Sequence, residues 1–279
     1  MKRLIVNADD LGMSREVNSQ IEECIRRGCI TSSSLMANAP DFDDGVRIAK
    51  QYPQISVGVH LNIIEFAPLT NTDVFRNYGL VDQKGLFIDG AIFCVPINDE
   101  LRQAIFEEWD AQISRIETAG LKPTHCDSHQ HTHTIKDLQE PLCQVLSRHH
   151  IQRIRRKVVP SIRLMLRAKR NQTVRLDKSK AIQPKHRNVI YRRIHLFLVK
   201  YQSYLWNRYM KTNFIMTDRF YSFRNFYDDY KVLKLNNRNM VIELMCHPGN
   251  KPYQSETEKL MRDKSWIGAD YQLISYNEL

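Results

Sequence analysis

Two adjacent carboxylates, Asp9 and Asp10, follow the apolar run "LIVNA" in the stretch "NADDLGMS", where a buried strand should be ending. Farther on, His60 closes "SVGVH". The run "HCDSHQHTH" carries His125, Asp127, His129, His131 and His133, and His247 follows "VIELMC". Asp and His together are ligands for first-row divalent metals. Two imidazoles and one carboxylate leave positions open for water and substrate, and an ion held that way activates water and polarises a carbonyl. A second carboxylate can take the proton from the attacking water, and a His on the other side can protonate a leaving group. Adjacent aspartates suit this division if a break in the strand turns both to one side. A catalytic metal needs only about three protein ligands. Most of the His run must therefore do something else. Asp127 and His131 read as groups that brace a ligand or touch the substrate, and His133 reads as loop surface. On a regular strand the odd-numbered residues of this run would share one face.

Each signal has a plainer explanation when taken singly. Asp doublets cap helices or sit in solvated turns. A lone His after an apolar strand is ordinarily a satisfied core residue, and "CHPG" is ordinarily a turn. Their common placement is what argues for a site. "RLIVNAD", "CITSSSLMAN" and "ISVGVHLNI" read as strands, separated by amphipathic helices that start at Ser14 and Asp41. That β-α-β-α-β order favours a parallel sheet. "DELRQAIFEEWDAQISRIETAG" reads as a helix ending at Gly120, and "PTHCDSHQHTH" as a strand running into a loop. A helix follows over roughly 135–149. "QRIRRKVV", "NFIMTDRFY", "NMVIELMCHPG" and "YQLISYNEL" supply further strands. The chain carries neither GxGxxG nor a P-loop, so a barrel-like α/β domain fits best. Four of its strands then deliver Asp or His to the C-terminal rim, where such folds build their sites.

At 279 residues with 26% charged and 42% hydrophobic composition, the chain reads as an ordinary globular protein. Six scattered Cys with no CxxC pair, and no leader-like apolar run, predict reduced thiols and a cytoplasmic location. The net charge of +10 is uneven: residues 151–211 hold eighteen Lys/Arg and one acid, Asp177, which leaves the remainder at −7.

The segments "IVNADDLG", "SVGVHLNI", "PTHCDSHQHTH" and "IELMCHPG" resemble, as an ordered set, the YdjC/ChbG family of carbohydrate deacetylases. The resemblance runs from Met1 to about residue 157 and resumes near Phe214. It implies a distorted (β/α) barrel over residues 1–279 with a divalent cation, Mg²⁺ or Zn²⁺, at the rim. It further implies removal of acetyl groups from N-acetylated sugars such as the GlcNAc units of oligosaccharides or glycan intermediates. Carried over residue by residue, it implies Asp10, His60 and His129 as metal ligands, Asp9 as general base and His247 as general acid. Arg155 is then expected to contact the substrate or the oxyanion, or to brace the groups that do. Alternatives of other classes are hydrolysis of another amide or ester, and non-catalytic polyanion binding on the same barrel.

The departure from the family is a basic, mostly helical insertion at about 160–211. "RLMLRAKRNQ" is cationic, and "NVIYRRIHLFLVKYQSYLWNRYM" mixes aromatic and basic residues at helical spacing. It is too charged to span a membrane. It suits a solvated excursion from the barrel, an anionic or lipid-linked glycan carrier, the inner membrane face, or a homodimer contact. Nucleic acid is the least favoured partner.

Overall fold

The computed structural model describes residues 1–70, 72–158, 189–229, 239–262, 267 and 271–279. The basic stretch "RLMLRAKRNQ" lies outside the described residues. Two compact units form: Met1–Arg156 with Asn213–Leu279, and Lys157–Thr212.

In the larger unit the chain runs β1 (Lys2–Leu11), α1 (Arg15–Arg26), β2 (Ser32–Leu35), α2 (Phe42–Gln51), β3 (Ser56–Leu61), α3 (Thr72–Asn77), α4 (Asp99–Thr118), β4 (Cys126–Ser128) and α5 (Gln139–Arg148). The smaller unit holds α6 (Val189–Met210). The larger unit resumes with β5 (Arg219–Ser222), α7 (Phe223–Asp229), β6 (Val241–Cys246), α8 (Gln254–Arg262) and β7 (Tyr271–Leu273). The strands pair in parallel in the order β4-β3-β2-β1-β6-β5, and β7 pairs with the start of β1. Strand β1 is central and covered on both faces, which explains its unbroken apolar run. Helix α1 starts at Ser14, whose hydroxyl accepts from the Val17 N–H at 3.2 Å, and it buries Val17, Ile21, Cys24 and Ile25 against the sheet.

The sheet curls past β4 into a half-barrel. Cys126 N–H donates to Arg153 O at 2.9 Å, Arg155 N–H to Cys126 O at 2.9 Å, and Ile154 N–H to Ile215 O at 3.0 Å. "QRIRRKVV" therefore forms isolated bridges rather than the expected strand, because its residues alternate between two neighbours.

The strand expected over "RLIVNAD" is longer. It runs through to Leu11, and its register with β2 shifts between Ala8 and Leu11. Asp10 sits in that irregularity at φ 70. This left-handed backbone is costly for a residue with a Cβ, and it lets two neighbouring carboxylates face one side. Gly12 follows at φ +90, where a Cβ would come within 3.2 Å of Met36 O. Its N–H donates to Asn18 Oδ1 at 2.7 Å, which anchors the turn to α1.

Candidate active site

Two sequence-predicted residues converge on Asp10. Its Oδ1 lies 3.2 Å from His60 Nε2 at the end of β3 and 3.0 Å from His129 Nδ1 just past β4. A second group shares His60: the donor atoms of Asp9, His60 and Asp127 lie within 4.8 Å of one another. On its other edge, His60 Nδ1 donates to Asp127 Oδ1 at 2.7 Å. Asp127 Oδ2 accepts from Ser34 Oγ at 2.9 Å. The His60 ring is thus oriented with Nε2 presented toward Asp10; burial opposes its charge, but Asp127 and Asp10 raise its pKa to about 10.

Arg155 organises the floor beneath this cluster. Its Nη1 and Nη2 donate to the two oxygens of Asp9, each at 2.6 Å, and Nη2 also reaches Asp127 Oδ2 at 2.7 Å. Its Nε donates to Glu243 Oε1 at 2.6 Å. Asn7 Nδ2 adds a 2.9 Å bond to Asp9 Oδ1. The side chain of Arg155 is 0% exposed. Of the two places expected for Arg155, touching the substrate or bracing the groups around it, this geometry fits the second: its donors are taken by three buried carboxylates.

The reading of the His run is corrected. Strand β4 stops at Ser128, and a tight turn with Gln130 at φ 49 and His131 at φ 59 follows, so these histidines do not share a strand face. His129 goes to Asp10. His131 packs edge-on to Phe220 with ring centres 5.7 Å apart. Burial and the nearby Arg155 bring its pKa down to about 4, so it is neutral at pH 7. His133 is not loop surface but fully buried, held by Ser128 Oγ at 2.6 Å from its Nδ1. His125 is buried too and stacks on Tyr276 at 3.7 Å.

His247, just past β6, stacks on Tyr253 with ring centres 4.2 Å apart. Its backbone N–H donates to Glu256 Oε1 at 2.8 Å, and its Nδ1 lies 3.6 Å from the same oxygen. Burial opposes its charge, but Glu256, Asp9 and Asp10 outweigh that and raise its pKa.

Several participants are invisible to motif reading. The motifs leave out Ser34, Glu243 and Glu256, and also Glu65, whose Oε1 is 3.9 Å from His129 Nε2. The lone acid in the apolar run "VIELMC" and the period-two spacing of Asn7 and Asp9 were the available signals.

The residues fit a divalent ion. His60 Nε2 is a buried nitrogen without an aligned hydrogen-bond partner, aimed at a carboxylate. Burial opposes charge on Asp10, yet His129 and His60 hold its carboxyl well below the usual range. Burial likewise opposes charge on Asp127, and Arg155 and His60 lower it. The carboxylates of Asp10 and Asp127 flank the His60 ring and favour its protonated form, and a dication held by the same groups would take the place of that proton.

A curled parallel sheet with an Asp/His cluster at its C-terminal strand ends defines an α/β protein whose site can hold a divalent ion. The chain belongs to the YdjC-like protein family, which matches residues 3–274. It is 42% identical over 135 residues to a carbohydrate deacetylase of Brevibacillus brevis, covering 47% of this chain and 50% of that protein. It is 35% identical over 147 residues to one of Halalkalibacterium halodurans, covering 52% and 59%. The chain thus spans about half the length of the curated relatives it matches. Its fold is similar to that of a crystallised Enterococcus faecalis V583 protein named for cellobiose-phosphate cleavage. There the TM-score is 0.69 at 22% identity, covering 99% of this chain and 98% of that one.

Proposed function

We propose that this chain is a metal-dependent hydrolase that removes acetyl groups from N-acetylated sugars, GlcNAc-type units of oligosaccharides or glycan intermediates, and releases acetate. The observation that carries this reading is the buried Asp10–His60–His129 cluster with Asp9 beside it, clamped by Arg155. The curated relatives' names support the carbohydrate substrate. Asp10, His60 and His129 would hold the ion, which supplies Lewis acidity for water activation and carbonyl polarisation. Asp9 takes the proton from the attacking water. Its orientation is set by Arg155 and Asn7 rather than by its own rotamer freedom. Asp127 holds the His60 ring. His247, tethered by Glu256 and Tyr253, gives its proton to the sugar nitrogen as acetate leaves.

Two outcomes follow at this site. Asp127→Asn should weaken metal binding by about 10–100-fold, the usual cost of removing a partner that orients a metal-bound His; equilibrium dialysis reads it. His247 must carry a proton to act as acid, so the rate should fall as pH rises through its pKa. Glu256 helps raise that pKa, so Glu256→Gln should move the alkaline limb of the kcat profile to lower pH. An unmoved limb would separate His247 from the proton donation.

The curled sheet is taken as a distorted (β/α) barrel forming one YdjC-like domain over 1–279, with a basic helical insertion at about 160–211. The bridges from Cys126 to Ile154 and from Arg153 to Ile215 support further curling. Helix α6 exposes Phe197, Tyr201, Tyr204 and Tyr209 within a strongly basic stretch. That surface suits an anionic or lipid-linked glycan carrier, or a homodimer contact. No helix among the described residues is long and apolar enough to cross a membrane; a cytoplasmic location, with contact at the inner membrane face, is part of the same proposal. A substrate panel tests the function: N-acetylated oligosaccharides should yield acetate, while O-acetyl esters and phosphoesters should react far more slowly. The reverse preference would favour a different hydrolase.

A further inference from the structure

Glu243 is the acid that the motifs leave unexplained. It stands in β6, fully buried, opposite Ile5 in the parallel register. Burying a third carboxylate around one guanidinium costs stability, and an apolar side chain of similar size would serve packing as well. Burial pushes its pKa up to about 7, against the pull of Arg155 and the Tyr276 hydroxyl. The geometry shows what the carboxylate does. Arg155 Nε donates to Glu243 Oε1 at 2.6 Å, while its two terminal nitrogens face Asp9, each at 2.6 Å. Nη2 also lies 2.7 Å from Asp127. Without a hold on Nε, the guanidinium can turn toward Asp127 and leave one Asp9 oxygen free. Tyr276 closes the far side. Its ring stacks on His125 at 3.7 Å, its N–H donates to Ser56 Oγ at 3.0 Å, and it packs with Ile5 and Val241. A capping box formed by Ser275 and Glu278 secures that last turn.

We propose that Glu243 is a positioning residue for the reaction: it pins the Nε edge of Arg155, so that the opposite edge of the guanidinium holds Asp9 in its working orientation. This rests on Asp9 acting as the base. Glu243 is fully buried and its ion pair is with Arg155, so it acts through Arg155.

The test uses the full chain, metal-loaded, with Glu243→Gln, Glu243→Asp, Arg155→Lys and the Glu243→Gln/Arg155→Lys double variant. Glu243→Gln should lower kcat about 10–100-fold, the scale of a misplaced reacting group, with KM and bound metal unchanged. Glu243→Asp, which keeps the charge, should recover part of that loss. In the Arg155→Lys background, Glu243→Gln should cost less than about threefold more, because the two act as one unit. Independently of turnover, the Arg155 Nε–H resonance should be protected from exchange in the parent and lose that protection in Glu243→Gln. Wild-type kcat in Glu243→Gln would overturn the inference, as would a loss that merely tracks lost metal or full additivity with Arg155→Lys. If Glu243→Gln fails to fold, Glu243→Asp carries the test: a partial loss of kcat together with weakened Nε–H protection supports the pinning, and weakened protection with unchanged kcat refutes it. Full activity in Asp9→Asn overturns the base assignment itself. An inactive Asp9→Asn beside a fully active Glu243→Gln overturns this inference alone.

Discussion

Asp9→Asn should bind a full equivalent of metal and lose turnover by about 10²–10⁴-fold, the contribution of a positioned general base. The two halves of that expectation have separate causes. The donor atoms nearest Asp10 belong to His60 and His129, so the amide leaves that cluster chemically intact. The amide cannot accept the proton, and it presents one acceptor oxygen where Arg155 now meets two. Removing one partner of a buried charge pair is destabilising by about 3–5 kcal/mol when nothing else compensates. Asp127 and Glu243 remain on Arg155, so the fall in thermal stability should be smaller than that. Metal content by elemental analysis, a thermal midpoint and kcat together separate these effects. A variant that keeps metal and keeps its rate would remove Asp9 from the chemistry.

His60→Ala should show the opposite pattern: metal binding lost, and activity lost with it. The substitution removes Nε2 from Asp10 and leaves Asp127 Oδ1 without its 2.7 Å donor in a fully buried place. The affinity loss should therefore exceed the about 10–100-fold expected for a bracing partner such as Asp127. Raising pH should not rescue it, because alanine offers no donor atom in place of Nε2. Metal titration followed by calorimetry gives the affinity directly. Tight binding in His60→Ala would place the ion elsewhere.

These two residues also show how much the sequence discloses. A short apolar strand, an acid doublet and a glycine locate Asp9 and Asp10 correctly in β1. What puts both on one side is a register shift with Asp10 at φ 70; Asp tolerates left-handed backbone better than most residues, but strand alternation does not announce where that conformation falls. His60 and His129 are legible as candidates because each ends a strand. The alternation across "HCDSHQHTH" misleads, because the strand is only three residues long and the turn at Gln130 and His131 resets every side-chain direction. His133 illustrates the cost of reading a polar run as surface: it is buried against Ser128, five residues back. Arg155 is legible as a bracing candidate, but its partners are not. Its three carboxylates come from β1, β4 and β6, and only the sheet order brings those strands around one guanidinium.

The most direct test is acetate release from N-acetylglucosamine oligosaccharides by protein stripped of metal and then titrated with Zn²⁺ or Mg²⁺. The stripped protein should be inactive, and activity should rise to a plateau at one equivalent of ion. Full activity without metal, or a fully loaded protein that releases no acetate from any N-acetylated sugar, would contradict a metal-dependent sugar deacetylase.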